Sequence, residues 1–407
     1  MRAELPTPAT SGAWLDEIVS SHGVGGLVVW WFDNHGEIRL YHRYAQVLVN
    51  ADQAAYRSVP MEYQPGALAV LVPPVWVASD YDGYVTAFVW WCGLLHLAAL
   101  GLALGWWQDG RPRSAETVGR AGVLSAVFLL FFGGVAAARF DHVVPVLVLG
   151  SLMLLRRAER RNALGLFAAG GVLIAGGGLT KIVPGASLAV VLAWLGWERP
   201  TRWVTKAVAL TGGFGVALLG LHGFFYAHWG EPYLASYTYH AERGLQIEST
   251  WAGLLRLFQD LEVVRSHGAH HVVTTATDTV KLLSLAAFGA VGLAFLWRTK
   301  GAVAAWFPAT LGLLLTAMVT STVLSPQYLL WLGVPVMVAA AANRDWRPGA
   351  VLLLVAAGLS QALVPKLYDM MVAGTPLTLG LLNLRNGILI ALMIWLWWRL
   401  PGLAARK

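Results

Sequence analysis

Long apolar runs recur along the whole chain, and they restrict its fold more than any other feature. Thr86–Trp106 and Gly380–Trp398 are rich in Leu, Val, Ala and Trp, and each approaches the ~20 residues that a membrane-spanning helix needs. Only 13% of the residues are charged, whereas soluble domains carry about 25%. The sequence therefore predicts an all-α, polytopic bundle of about 11–13 transmembrane helices. We expect residues 1–407 to form a single membrane domain.

The first apolar run, Val24–Phe32, is too short to span a bilayer unaided. It either tilts with its flanking residues or lies re-entrant at the surface, and 66–79 is a second re-entrant candidate. The polar residues 1–22 lack the pattern of a cleavable signal peptide. The later runs predict helices at about 66–79, 85–106, 118–135, 143–156, 163–179, 183–197, 206–226, 278–297, 302–321, 327–342, 349–365 and 379–398.

Basic residues cluster in the loops that follow alternate spans, for example the four arginines within 156–161. Under the positive-inside rule these loops are cytoplasmic, and so are both termini. The segments 33–65 and 227–280 then lie on the outer face of a plasma membrane, where we expect the active site. Because the net charge of +7 is spread over short clusters, it does not indicate a nucleic-acid partner.

The first outer segment, 33–65, places carboxylates next to tyrosines. Asp33 and Glu37 are one helical turn apart, and Tyr41 and Tyr63 follow. A carboxylate just beyond a membrane helix can act as a general base on a hydroxyl nucleophile. An ordinary solvated loop explains the same residues.

Three further charges lie at predicted helix ends on the outer side. Arg139 and Asp141 follow one span, and Lys181 separates two apolar runs. Charges at membrane depth are costly and are usually paired or functional. A local ion pair between Arg139 and Asp141 is one explanation. Lys181 needs an anionic partner, either a lipid headgroup or a phosphate-bearing substrate.

The long outer segment, 227–280, contains Arg243, Gln246 and Glu248. The planar fork of Arg243 suits phosphate, while Gln246 and Glu248 suit sugar hydroxyls. An amphipathic surface helix is the alternative. The histidines 267, 270 and 271 lack a carboxylate at suitable spacing, so we predict neither a metal site nor a cofactor.

Ser325 and Pro326 predict a helix start, with Ser325 as the N-cap and Pro326 at the first helical position. Backbone N–H groups at such an end suit anions. Gln327 and Tyr328 follow directly and are candidate substrate-binding residues.

Taken in order, these segments resemble actinobacterial polytopic glycosyltransferases of the GT-C superfamily that use polyprenol-phosphate-mannose. The resemblance covers nearly the whole chain. It is carried by Glu37–Tyr41, Tyr56-Arg57, Glu62–Gly66, Arg139–Asp141, Lys181–Pro184, Arg243–Ser249 and Ser325–Tyr328.

The resemblance implies an inverting transferase that moves a sugar, mannose favoured, from a polyprenyl-phosphate donor to a hydroxyl of a glycolipid, glycan or other acceptor. Besides donor and acceptor, its partners are membrane lipids. The general base is Glu37 or its rival Asp33, because the family usually has Asp-Ile-x-x-Tyr where this chain has Glu37-Ile38-Arg39-Leu40-Tyr41. The family's Tyr-Pro-Pro is here Tyr63-Gln64-Pro65.

The assigned roles agree with the chemistry of a phosphate leaving group, which calls for one base and several cations. Arg139, Lys181 and Arg243 are the predicted phosphate ligands. Tyr41, Tyr63, Asp141, Gln246, Glu248, Gln327 and Tyr328 are the predicted substrate contacts.

Two other classes of membrane protein remain open. A transporter or flippase of lipid-linked sugars also needs charges in the membrane, although such proteins commonly show internal repeats, and none is evident here. A polysaccharide ligase or polymerase usually has a very large outer loop, and 227–280 is only moderate in length.

Overall fold

The computed structural model describes residues 36–50, 56–57, 59, 61–108, 114–300 and 303–405. The candidate base Asp33 and the first apolar run, 24–32, lie outside these residues. Within them the protein is a membrane-embedded bundle of helices, which confirms the predicted all-α, polytopic fold class.

Seven helical segments in the described part of the chain are long and apolar enough to cross a membrane, and four shorter apolar segments accompany them. The seven are α4 (Tyr81–Trp107), α5 (Ala115–Ala137), α9 (Trp203–Trp229), α12 (Thr277–Trp297), Val303–Thr320 with α13 (Trp306–Thr320), Arg344–Lys366 with α15 (Arg347–Gln361), and the apolar part of α17 (Pro376–Ala405). The four are Pro65–Val77 with α2 (Pro65–Leu71) and α3 (Pro73–Val77), α7 (Leu164–Thr180), Val183–Glu198 with α8 (Ala186–Glu198), and Pro326–Ala342 with α14 (Leu330–Ala342).

Five further helices of the described chain do not belong to these segments. They are α1 (Gly36–Val49), α6 (Val143–Arg161), α10 (Ala235–Glu242), α11 (Thr250–Phe258) and α16 (Tyr368–Val372). Helix α6 is apolar in its first part and carries its arginines in its last turns. Asn162, at a φ of 50°, then turns the chain into α7; asparagine tolerates this left-handed conformation well. We call the end of the bundle at which α6 ends and α7 begins the basic end, and we call the opposite end the polar end.

Residues 65–77 do not cross the bundle. The carbonyl of Ser79, just after α3, accepts hydrogen bonds from His42 and Gln46 of α1. The carbonyl of Leu71 accepts one from Tyr84 in the first turns of α4. Helices α1, α2, α3 and the start of α4 therefore pack together at the polar end.

Helix α5 is broken near its polar end. Gly133 has φ 54° and ψ −138°, a conformation that glycine adopts without steric cost. The break removes an intrahelical partner from the N–H of Val135, which instead donates to Oε1 of Gln361 at 3.2 Å. The chain then leaves the helix axis and enters the segment that carries Arg139.

A small antiparallel sheet, not predicted from the sequence, lies within 227–280. Its strands β1 (Leu245–Gln246), β2 (Val263–Ser266) and β3 (Ala269–Val272) pair in the order β1-β3-β2. His267 and Gly268 link β2 to β3 with φ values of 47° and 67°, as a two-residue hairpin turn requires. The segment 227–280 therefore contains a small sheet and short helices, and it is not a plain amphipathic helix.

Candidate functional site

A cavity of about 400 Å³ opens at the polar end of the bundle. Side chains from α1, from the ends of α5 and α7, from the sheet and from the turns before α14 and α16 form its walls. Nine of the predicted site residues line it, although they are spread over almost 300 residues of sequence. These are Glu37, Tyr63, Arg139, Lys181, Arg243, Gln246, Glu248, Gln327 and Tyr328.

Glu37 is held in the first turn of α1 by two partners. Its Oε2 lies 2.5 Å from Nη1 of Arg139, and the hydroxyl of Tyr63 donates to the same oxygen at 3.5 Å. The Glu37 side chain is 34% exposed. Because a carboxylate has about four acceptor positions, Glu37 keeps capacity for a further hydrogen bond on the cavity side.

Arg139 does not pair with its near neighbour Asp141. It lies in extended backbone, with φ −130° and ψ 134°, just after the broken end of α5. Its guanidinium reaches Glu37, more than 100 residues earlier, and is 11% exposed. The local Arg139–Asp141 ion pair considered from the sequence is therefore wrong.

Lys181 has its anionic partner inside the protein. Its Nζ lies 3.5 Å from Oδ1 of Asp141, which is fully buried and also accepts a hydrogen bond from the indole of Trp331 at 2.8 Å. The ammonium lies over the ring of Phe140, 4.7 Å from its centroid. The prediction that Lys181 requires a lipid headgroup or substrate as its counterion is therefore wrong.

Two predicted substrate contacts, Tyr41 and Asp141, are fully buried behind the cavity wall. Tyr41 packs edge-on against Tyr63 and Phe140, and burial raises the pKa of its hydroxyl well above the usual value. The structure thus places both residues under the side chains that line the cavity, where they support Tyr63 and Lys181.

Arg243 is the cation best placed to accept a ligand. Among the described residues no carboxylate lies within ion-pair distance of it, and its buried Nε has no hydrogen-bond partner. Its guanidinium lies over the ring of Tyr239, 5.8 Å from the centroid. Burial, and then the charge of Arg243, lower the pKa of His240 to about 4, so this neighbour is neutral at pH 7.

Gln246 and Glu248 form the wall contributed by β1 and the residues after it. Both are buried, yet Oε1 of Gln246 and Oε2 of Glu248 have no hydrogen-bond partner among the residues that the structure describes. Burial raises the pKa of Glu248 to about 7. Arg385 of α17 donates from Nη2 to the backbone carbonyl of Glu248 at 2.9 Å, which holds this stretch of chain against the bundle.

The predicted helix start at Ser325 is correct in position. Pro326 is at the first helical position, and the turn Pro326–Leu329 leads directly into α14. Ser325 is the N-cap, as predicted, but its hydroxyl donates to Oε1 of Gln327 and caps no backbone N–H. Gln327 and Tyr328 both line the cavity.

The cavity also contains residues that the sequence prediction did not assign to the site. Glu62 directly precedes the predicted Tyr63, and its Oε2 accepts a hydrogen bond from Tyr239 at 2.6 Å. Its position in the motif Glu62-Tyr63-Gln64-Pro65 could have indicated that it belongs to the site. Arg265, His270, Tyr368 and Asp369 were also missed, and no three His, Cys, Asp or Glu side chains in the described ranges are placed to hold a metal ion.

Two further cavities adjoin this one. A second cavity of about 300 Å³ shares Lys181, Arg243 and Tyr328 with the first. A third, of about 440 Å³, adjoins the second through Ile182 and Val183 and lies between α8, α12 and α13. The lining of this third cavity is largely apolar, and we call it the apolar groove. Lys181 and Arg243, which line the first and second cavities, therefore lie between the polar cavity and the apolar groove.

No protein-family model matches the chain, and no curated protein is significantly similar to it in sequence. Function is therefore inferred from the side chains of the site.

Proposed function

We propose that the protein is a glycosyltransferase that moves a sugar, mannose favoured, from a polyprenyl-phosphate donor to an acceptor hydroxyl with inversion. The fold expected for it is of the GT-C type. The observation that carries the proposal is the position of Lys181 and Arg243 between the polar cavity and the apolar groove. A polyprenyl-phosphate sugar has the same three parts in the same order: a polar sugar, a phosphate and a long apolar chain.

In the proposed reaction, Glu37 takes the proton from the acceptor hydroxyl as its oxygen attacks the anomeric carbon. The bond from that carbon to the phosphate oxygen breaks, and polyprenyl phosphate leaves. A single displacement of this kind inverts the anomeric carbon. Arg243 and Lys181 stabilise the charge on the departing phosphate, because fixed cations in a desolvated site cost no reorganisation during the reaction.

The geometry favours a different task for Arg139 than the predicted one. Its guanidinium is already engaged by Glu37 at 2.5 Å, whereas Lys181 lies 3.5 Å from Asp141 and its ammonium has three N–H donors, which leaves donors for a phosphate. We therefore assign Arg139 to orienting the base, and leave the phosphate to Arg243 and Lys181.

The positive-inside rule supports placing the polar end outside the cytoplasm, because the arginines of α6 lie at the opposite end. The site then faces the outer side of the plasma membrane. A flippase, the rival function, needs a path through to the basic end. The described residues that line the cavity all lie at the polar end, which favours a transferase.

The test is transfer of radiolabelled mannose from polyprenyl-phosphate-mannose by the full chain in nanodiscs, with membrane extracts as acceptor. We expect Glu37→Gln to lower the transfer rate by about 10²–10⁴-fold, the usual contribution of a general base. Glu62→Gln is the matched control, since Glu62 lines the same cavity but bonds Tyr239; we expect it to lose less than about tenfold. Asp33→Asn is measured alongside. Full transfer in both Glu37→Gln and Asp33→Asn contradicts the mechanism, and movement of donor across acceptor-free vesicles favours a flippase.

A further inference from the structure

Two buried histidines that the proposed mechanism does not use lie in contact inside the bundle. His96, in the middle of α4, and His142, just before α6, are 6% and 4% exposed. Their Nδ1 atoms are 3.4 Å apart. An ionisable side chain buried in a membrane protein is costly and usually serves a function. The hydrogen bonds of this pair indicate which part of the protein it serves.

These hydrogen bonds form one chain with a fixed direction. Nε2 of His142 lies 2.9 Å from the carbonyl oxygen of Ala136, which can only accept, so this nitrogen carries a hydrogen. In a neutral ring Nδ1 of His142 is then bare, and it accepts from Nδ1–H of His96. Nε2 of His96 is bare in turn and accepts from the hydroxyl of Ser125 at 2.7 Å. Every polar hydrogen of the chain thus has an acceptor when both rings are neutral, which their burial favours.

The chain ends at the segment that carries Arg139. Ala136 lies in the last turn of α5, where helix carbonyls have no partner within the helix. His142 supplies the missing donor and closes the chain between the two residues into a loop. One helical turn before His96, and therefore on the same face of α4, the thiol of Cys92 donates to the carbonyl of Arg139 at 3.5 Å. Helix α4 thus holds this loop at two points.

We propose that His96 and His142 are positioning residues for the general base. They fix the loop from Ala136 to His142, so that the guanidinium of Arg139 stays in contact with Glu37. This inference rests on the proposed function, because Glu37 is a base only in that reaction. Neither histidine lines the cavity, so both act through Arg139.

The position of Arg139 explains why such support is needed. Arg139 lies in extended backbone just after α5, so the helix itself does not fix the direction of its side chain. A general base must be held within hydrogen-bond reach of the proton that it takes. A small misplacement caused by a change far from the chemistry can lower the rate strongly. We therefore expect loss of the histidine chain to slow the reaction and to spare donor binding.

The kinetic test uses the full chain in nanodiscs, with polyprenyl-phosphate-mannose as the varied donor. We expect His142→Ala to lower kcat about tenfold, the equivalent of one hydrogen bond, with an unchanged KM for the donor. His142→Gln keeps an N–H close to the position of Nε2 and should restore most of this loss. Failure of His142→Gln to restore kcat, or a rise in KM in place of the fall in kcat, overturns the inference.

A matched pair of serines controls for the loss of any buried hydroxyl. Ser125→Ala removes the far end of the chain and should lower kcat less than His142→Ala does. Ser151→Ala is the control, because Ser151 is as buried as Ser125 but its hydroxyl donates to the carbonyl of Val148 in its own helix. Equal losses of kcat in the two serine variants overturn the inference.

A double variant separates positioning from a general loosening of the fold. In the Arg139→Lys background, His142→Ala should lower kcat much less than it does in the wild type, because both changes act on the same contact with Glu37. Independent losses that multiply contradict a role through Arg139.

The direction of the chain has a spectroscopic test that needs no activity. Nitrogen-15 solid-state NMR should show His142 as the Nε2–H tautomer and His96 as the Nδ1–H tautomer. The opposite tautomer at either residue overturns the chain. A wild type that transfers no mannose makes the proposed function fail, and the tautomers then still report on the chain as a separate result.

Discussion

At the scale of single residues, the guanidinium of Arg139 is paired with Glu37 and not with its near neighbour Asp141. Charges at the outer ends of helices predicted a functional site, and Arg139 does line the cavity. The sequence could not show that Glu37 lies 2.5 Å away, because Arg139 and Glu37 are separated by α4 and α5. Spacing along the chain favoured Asp141, only two residues on.

We expect Arg139→Lys to act mainly on kcat. Lysine keeps the charge but loses the planar fork, so Glu37 is held less well while donor binding is kept. Arg243→Lys should instead raise the KM for the donor several-fold, because Arg243 is the proposed phosphate ligand. Steady-state kinetics with varied donor separate the two variants. An identical change of KM in both would contradict the separate roles of Arg139 in orienting Glu37 and of Arg243 in binding phosphate.

Glu248 makes stability depend on pH. Its pKa in the folded protein is about 7 because it is buried, whereas an unfolded glutamate titrates near about 4.3. As pH rises between these values, the unfolded chain releases a proton that the folded protein keeps, so stability falls. Among the described residues, the charged and titratable groups that interact with this carboxyl are Arg385, Arg243, Tyr368 and Tyr328.

Glu248→Gln removes this titration. The Tm of the variant relative to wild type should therefore rise from pH 5 to pH 8. Gln259→Ala, which changes no titratable group at an exposed position of the same outer segment, should show no such trend. A constant difference in Tm for Glu248→Gln across this range would argue against a raised pKa.

At the scale of elements, helices α7 and α9 make the most extensive helix contact in the described part of the chain. A Cβ on Gly171 would lie 2.1 Å from the carbonyl oxygen of Leu210, and one on Gly213 would lie 2.1 Å from that of Ala168. Neither backbone can move aside cheaply. Small residues allow this approach, as is common between membrane helices.

Gly171→Ala or Gly213→Ala should therefore destabilise the protein by about 1–3 kcal/mol. Gly215→Ala is the matched control on α9, since a Cβ there meets nothing within 4 Å, and alanine is the better helix former. Thermal denaturation in detergent distinguishes them. Equal Tm values for all three variants would contradict the close packing.

The positions of the helices could be predicted where they follow from long apolar runs of sequence. Apolar runs placed α4, α12 and the other long helices to within a few residues, because the bilayer requires about 20 apolar residues per span. The sheet was not found. Its strands are only two to four residues long, and its turn is His267-Gly268, not the Asn-Gly or Asp-Gly that signals a hairpin most strongly.

At the scale of the whole molecule, the orientation in the membrane can be tested by labelling. The one cysteine, Cys92, is 2% exposed, so the background is low. We expect a membrane-impermeant maleimide to label Glu242→Cys at the polar end of intact cells. Thr201→Cys, exposed at the basic end, should react only after the cells are opened. The reverse pattern would place the active site on the cytoplasmic side.

The groove between α8, α12 and α13 has exposed apolar side chains on its wall, Leu285 and Phe288. If the proposed donor lipid enters there, it stays in the bilayer, and the protein samples it in two dimensions. The transfer rate should then reach half of its maximum at a fixed mole fraction of donor among the lipids, and not at a fixed bulk concentration. Adding inert phospholipid at constant total donor should slow transfer, whereas enlarging the aqueous volume should leave the rate per enzyme unchanged.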